Sequence, residues 1–232
     1  MCTKVDLLVF GPHPDDIEIG VGGTIAKQVR KGSIVGLCDL TRGELGTNGT
    51  IDIRLVEAQA GADALGVAWR ENLEWPDGEI GGAHQVKSAV EFVRRCRPAT
   101  VLLPYWDDRH PDHVASSHLL TNVLFKSGLR KYEAAGDIWR PDWICYYFIN
   151  NTGVPSFVVD VTEYYDVKQR ALDCHRSQFS PEGRDATPTR LTTQSFRQLI
   201  ESRDTGFGAA VGVGFAEGFV VREPIVRLDV MK

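Results

Sequence analysis

Apolar positions in the first half of the chain alternate between two periods. Leu7-Leu8-Val9-Phe10 is a continuous apolar run of the kind shown by strands buried on both faces, and Ile34 to Leu40 is a second. Between them Ile17, Ile25, Ala26 and Val29 recur at helical spacing, and Lys31-Gly32 supplies a basic last turn and a C′ glycine, so a helix is predicted over 17–31. The same reading predicts a helix from Asp52 to Leu65, a shorter strand within Ala68 to Leu73, a helix from Ala83 to Cys96, a fourth strand from Ala99 to Pro104 and a helix from Asp112 to Gly128. Farther on it predicts strands at Ile144 to Ile149 and Phe157 to Val161 with a turn between them. Helices follow at Glu163 to Ser177 and Leu191 to Asp204, then extended pieces at Phe219 to Val221 and Ile225 to Leu228.

Strand, helix and strand in repetition predict an α/β fold: a Rossmann-like, doubly wound, mostly parallel sheet with helices on both faces. The chain reads as a single domain over 1–232. A Rossmann-like part covers about 1–130, and the strands and helices of about 140–232 complete it. Two loops stand out. Thr41 to Thr50 is rich in glycine and hydroxyls, and Phe179 to Arg190, with Pro181, Gly183 and Pro188, reads as a mobile surface loop.

If the first four strands lie in the order 3-2-1-4, strands one and four are neighbours, and ligands bind outside their carboxyl ends. His13-Pro14-Asp15-Asp16 follows strand one, and Arg109-His110-Pro111-Asp112-His113 follows strand four by a short loop. His13, Asp16 and His113 then make a two-histidine, one-carboxylate set open to a catalytic metal, zinc or ferrous iron, with Asp15 left to act on water. Each cluster taken alone also has a plain explanation. Asp15 or Asp16 is a favoured helix cap, and Asp112 caps equally well behind Pro111 near a helix start. Glu18 reads as capping or support rather than a fourth ligand. Gly20-Val21-Gly22-Gly23 is not a dinucleotide fingerprint, because the place between strand and helix holds two carboxylates that repel a pyrophosphate; close packing of the first helix explains it better.

Composition narrows the partners. Charged residues are 25%, hydrophobic ones 43% and the formal net charge is −5, so nothing offers a basic footprint to nucleic acid, and a small-molecule substrate is favoured. No apolar run approaches the roughly 20 residues that span a bilayer, and the N-terminus lacks a signal-peptide pattern, which predicts a cytoplasmic protein without a membrane partner. The five cysteines form no CxxC pair and read as reduced, buried thiols; His175, beside Cys174, reads as a packed or hydrogen-bonded histidine.

Several stretches together are familiar: His13-Pro14-Asp15-Asp16-Ile17-Glu18, Gly22-Gly23-Thr24, Thr41-Arg42-Gly43-Glu44-Leu45-Gly46-Thr47, Arg54 with Glu57-Ala58, and His110-Pro111-Asp112-His113. With His175-Arg176-Ser177-Gln178 and Ala216-Glu217-Gly218-Phe219 they span nearly the whole chain, which resembles the zinc-dependent N-acetylglucosamine deacetylases of the PIG-L/LmbE type, most closely the bacillithiol-biosynthesis (BshB) branch. The resemblance implies zinc held by His13, Asp16 and His113, and Asp15 as general base. It implies that His110 stabilises the oxyanion or protonates the leaving amine, with Asp112 orienting it, and that Arg54 lies near the substrate. The implied partners are an amino-sugar conjugate, N-acetylglucosaminyl malate, and further copies of the chain in a homo-oligomer. Malate's carboxylates need cations, for which Arg54, Arg109 and Arg140 are the candidates. N-acetylated chitooligosaccharides, or a mycothiol-type conjugate, are the alternative substrates, and a non-catalytic Rossmann-like binding module is the alternative of another class.

Overall fold

The computed structural model describes residues 3–181, 186–226 and 229. Strand β1 (Leu7–Gly11) is the centre of the sheet and shows why a doubly covered strand is apolar throughout. Leu8 and Phe10 join one core with Ala89, Val93 and Leu120, while Leu7 and Val9 join the other with Ile25, Ala62 and Leu172. On one side β1 pairs in parallel with β2 (Val35–Thr41), and β2 with the edge strand β3 (Trp69–Trp75). On the other side it pairs in parallel with β4 (Thr100–Pro104), Leu8 opposite Val101, and β4 with β5 (Trp143–Tyr147). The order 3-2-1-4 is as expected. The sheet continues through an antiparallel β7 (Ala216–Val220) to β6 (Phe157–Asp160), giving β3-β2-β1-β4-β5-β7-β6. Strands β5 and β6, consecutive in the chain, are therefore separated in space by the last strand.

Helix α2 (Ile51–Leu65) starts on Thr50, whose hydroxyl accepts the Ile53 N–H, and ends on Gly66 at φ 75°. Helix α3 (Ala83–Cys96) ends at Arg97, ahead of Pro98, and α4 (Pro111–Ser127) carries proline at its first position. The predicted helix over 163–177 is instead a 3-10 turn, α5 (Tyr165–Cys174) and a short α6 (Arg176–Phe179), broken at His175. Helix α7 is longer than expected and starts later, Gln194–Val211, because Thr189, Thr192 and Thr193 bond their own local backbone ahead of it. Ile225 and Val226 form no strand; 227 and 228 lie outside the described residues, as do 182–185 of the expected mobile loop. The described part of that loop is anchored: Asn48 accepts the Thr187 N–H (2.9 Å) and donates to its carbonyl (2.8 Å). Cys38 and Cys145 are buried free thiols, but Cys96 is disulfide-bonded, against the expectation of five reduced cysteines. Trp143 is half-exposed and stacks on Phe157, while Cys145 to Phe148 are core.

Helix α1 (Asp16–Arg30) is broken at Val21, which leaves helical φ/ψ. A break frees carbonyls on one side and amides on the other, and both are recovered by buried charge. The Arg203 guanidinium donates to the Ile19 carbonyl (2.6 Å), while Glu217 accepts the Gly23 and Thr24 N–H groups (3.0 and 2.7 Å). The two are joined through Asp204 and the fully buried Lys168, whose ammonium lies 2.7 Å from both Asp204 and Glu217. The glycines of this segment let neighbours approach: a Cβ on Gly20 would enter the Tyr147 ring, and one on Gly23 would lie 2.8 Å from Val161 Cβ. Among the described residues no helix is long and apolar enough to cross a membrane. Glu217→Ala leaves Lys168 with half its counter-charge and two amides uncapped; urea unfolding is expected to show a loss of about 3–5 kcal/mol, and a loss below 1 kcal/mol would mean the network adds little.

Candidate active site

The carboxyl ends of the five parallel strands open into a cleft of about 600 Å³. The turn after β1 is pinned from beneath, Tyr147 Oη donating to the Phe10 carbonyl (2.7 Å) and Thr41 to that of Pro12 through its N–H and hydroxyl (3.1 and 3.0 Å). Arg54 is buried there. It donates to the carbonyls of Pro14 and Gly43 (2.8 Å each) and lies 3.4 Å from Asp15 Oδ2. Asp15 sits at φ 127°, a strained conformation for a residue with a side chain, and its carboxylate makes no capping bond to α1. The capping explanation therefore fails for Asp15. It fails for Asp112 too, since the N-cap of α4 is His110, whose Nδ1 accepts the Asp112 N–H (3.2 Å).

Three buried side chains from the two strand ends converge. His13 Nδ1 lies 3.0 Å and His113 Nε2 3.2 Å from the same oxygen, Asp16 Oδ2, and the three ligand atoms lie within 4.8 Å of one another. Donors about 2.0–2.1 Å from a tetrahedral ion are spaced about 3.3 Å apart, so the set fits a metal. The far nitrogens fit as well: His13 Nε2 faces Asp77 Oδ1 (3.0 Å) and Asp112 Oδ2 (3.3 Å), and His113 Nδ1 faces Asp108 Oδ1 (3.1 Å). A carboxylate on the outer nitrogen holds the proton there and turns the inner lone pair toward an ion. Burial works to lower the pKa of His13, yet Asp112, Asp16 and Asp77 hold it well above the ordinary value; burial opposes the same rise in His113, which Asp16 and Asp108 drive to about 9. The cleft floor thus favours positive charge.

Asp15 stands beside this set without joining it. Burial pushes its carboxyl up to about 6, Arg54 pulling against the shift and Asp16 adding to it. His110, the exposed member of the cluster, stacks on His113 at 4.7 Å between ring centroids. Desolvation of its packed face and the charges of His113 and His13 lower its pKa, and the Asp112 amide on Nδ1 leaves the proton of the neutral ring on Nε2. Asp112 thus engages His110 through its backbone, while its carboxylate serves His13 and the Gly78 N–H (2.9 Å), which corrects the expected pairing with His110. Arg109 lines the cleft beside Arg190. Arg140 does not: it packs against Gly128 beyond the far end of α4, about 25 Å along a 17-residue helix from His110. Arg54 lines the cleft with its two Nη atoms on backbone carbonyls and Asp15 and its buried Nε unpaired. Glu18 is no ligand. Burial opposes its ionisation, yet Arg70 (2.6 Å) and the buried His175 (3.1 Å) hold its carboxyl down at about 2. Nothing in the sequence singles out Asp77, Asp108, Asn150 or Arg190 as site residues, since each is one polar residue among others in a loop. Their only signal is position at the carboxyl ends of strands β3, β4 and β5 and before α7.

A family model described as GlcNAc-PI de-N-acetylase (PIG-L) matches residues 8–124. A diacetylchitobiose deacetylase of Thermococcus kodakarensis is 31% identical over 91% of this chain and 83% of its own. A probable N-acetyl-alpha-D-glucosaminyl L-malate deacetylase 2 of Bacillus subtilis is 29% identical over 75% of this chain and 84% of its own. The solved structure of a conserved protein from Thermus thermophilus superposes with a TM-score of 0.89 at 34% identity, covering 98% of this chain and 99% of that one.

Asp108→Asn keeps the shape of the side chain while removing the charge behind His113. Zinc affinity, measured by competition with a chromogenic chelator, is expected to fall about 10–100-fold; an unchanged affinity would remove Asp108 from the metal's support.

Proposed function

The chain belongs to the PIG-L family of metal-dependent N-deacetylases, and on that premise we propose that it is a zinc-dependent hydrolase of an N-acetylglucosaminyl conjugate, N-acetylglucosaminyl malate as in bacillithiol biosynthesis. The observation that carries the chemistry is a buried Asp15 carboxylate standing unligated beside His13, Asp16 and His113. His13, Asp16 and His113 would hold the zinc, which when bound would supply Lewis acidity to the acetamide carbonyl and to water. Asp15 takes the proton from the attacking water and returns it to the departing nitrogen, for which a carboxyl raised by burial is suited. His110, neutral with its proton on Nε2, donates to the oxygen on which negative charge develops. The amide C–N bond breaks, and acetate and a free amine leave.

The malate conjugate is favoured by the cations at the cleft mouth. Arg109 has no hydrogen bond or ion pair among the described residues, and Arg190 is fixed by a bond to Asn150 Oδ1 (3.0 Å) and by the Phe196 ring 5.2 Å from its guanidinium. Desolvation and then the charge of Arg109 lower the pKa of Arg190, a repulsion that a bound carboxylate relieves. Diacetylchitobiose is the second reading, favoured by the Thermococcus relative's greater identity and its match to more of this chain.

Asp15→Asn is expected to retain zinc and lose about 10²–10⁴-fold in kcat; wild-type turnover in that variant would remove Asp15 as the base. Acetate release from N-acetylglucosaminyl malate, N-acetylglucosamine and diacetylchitobiose tests the substrate. The malate conjugate is expected to have the highest kcat/KM, and Arg109→Ala with Arg190→Ala to lower it about 10–100-fold for that conjugate alone. A preference for diacetylchitobiose overturns the malate assignment and leaves the deacetylase in place.

A further inference from the structure

Asp77 does more than face a histidine. Its Oδ1 lies 3.0 Å from His13 Nε2, and its Oδ2 accepts the backbone N–H of Leu45 at 3.0 Å. Leu45, Gly46 and Thr47 line the cleft, and Leu45 is 72% exposed, so its amide has little besides Asp77 to shield it from water. The loop closes the connection from its own side, because Glu44 Oε1 accepts the Asp77 N–H (3.2 Å) while Glu44 Oε2 accepts that of Arg42 (3.2 Å). The Asp77 side chain is itself buried, 7% exposed, though it comes from a loop after the edge strand and stands 64 residues from His13. Asp112, the other carboxylate on His13 Nε2, reaches Gly78 rather than the 43–47 loop.

We propose that Asp77 is a positioning residue that ties the substrate-facing loop around Leu45 to the metal centre, one carboxylate oxygen orienting His13 and the other holding the loop backbone. Metal occupancy and loop order are then linked. An ion that fixes His13 fixes the far end of the same carboxylate, and by reciprocity an ordered loop strengthens metal binding. This rests on the metal-site reading given above and adds to it a coupling which that reading does not require.

Residue-resolved amide exchange on the full chain, with and without Zn2+, reads the link directly. In the wild type, Zn2+ is expected to slow exchange at Leu45 at least 10-fold, with no comparable change in the α3 interior. In Asp77→Ala that zinc-dependent protection disappears and zinc affinity falls about 10–100-fold. Asp77→Asn, which preserves the side chain's shape and one acceptor, recovers protection at Leu45 without its dependence on zinc. Asp112→Asn weakens zinc binding but leaves the remaining zinc-dependent protection of Leu45 in place. Stoichiometric zinc on the wild type without any effect at Leu45, or an Asp77→Ala variant that keeps both affinity and protection, overturns the coupling alone. A wild type that binds no zinc overturns the metal reading and the coupling with it.

Discussion

Each ring nitrogen of His13 and His113 faces a carboxylate, and the rest of the site follows from that arrangement. Two imidazoles each present an inner nitrogen to Asp16 and an outer one to Asp77 and Asp112, or to Asp108. With Asp15, five largely buried carboxylates gather around the two rings, a concentration of negative charge that the buried Arg54 and the raised pKa values of His13 and His113 answer and that favours a cation. The outer acids fix which nitrogen keeps its proton, and the inner lone pairs then have one direction left. A ligand set that fits a metal, with Asp15 standing outside it and His110 at its edge, is the consequence of this geometry.

The scaffold makes that concentration possible. Parallel strands place their carboxyl ends along one edge, and each of the five contributes. The end of β1 brings His13 to Asp16, that of β2 the 42–49 loop, that of β3 Asp77, that of β4 Asp108 to His113, and that of β5 Asn150. Behind them the break in α1 lets the helix begin at the site yet still pack on Tyr147 and Val161, and the charges of Arg203, Asp204, Lys168 and Glu217 satisfy the backbone groups the break exposes. Removing either half of such a buried pair is costly because the other half stays behind in a dry interior. The same Arg203 donates to the Phe148 and Ile149 carbonyls, next to the Asn150 that bonds Asp108, so scaffold and site share a brace.

Much of this was legible in the chain itself, for physical reasons. The apolar runs of β1, β2 and β4 are long enough to identify buried parallel strands, and the strand order then brings His13 and His113 together without further information. Asp77 and Asp108 were not legible. Asp77 gains its meaning from His13, 64 residues away, and Asp108 stands beside Asp107 with nothing local to say which of the two turns to His113. The division of α5 from α6 at His175 and the recruitment of Glu217 to a helix break are likewise tertiary, since local periodicity carries no trace of a partner elsewhere. Arg140 shows the converse: a cation chosen for its charge alone lies at the wrong end of α4.

The proposed chemistry stands on one divalent ion held by His13, Asp16 and His113. Chelator-stripped protein, assayed for acetate release while zinc is returned in substoichiometric steps, tests it most directly. No turnover is expected at the start, then a linear rise that saturates at one equivalent per chain. Full activity in the stripped protein, or recovery that bears no relation to one bound ion, would contradict it.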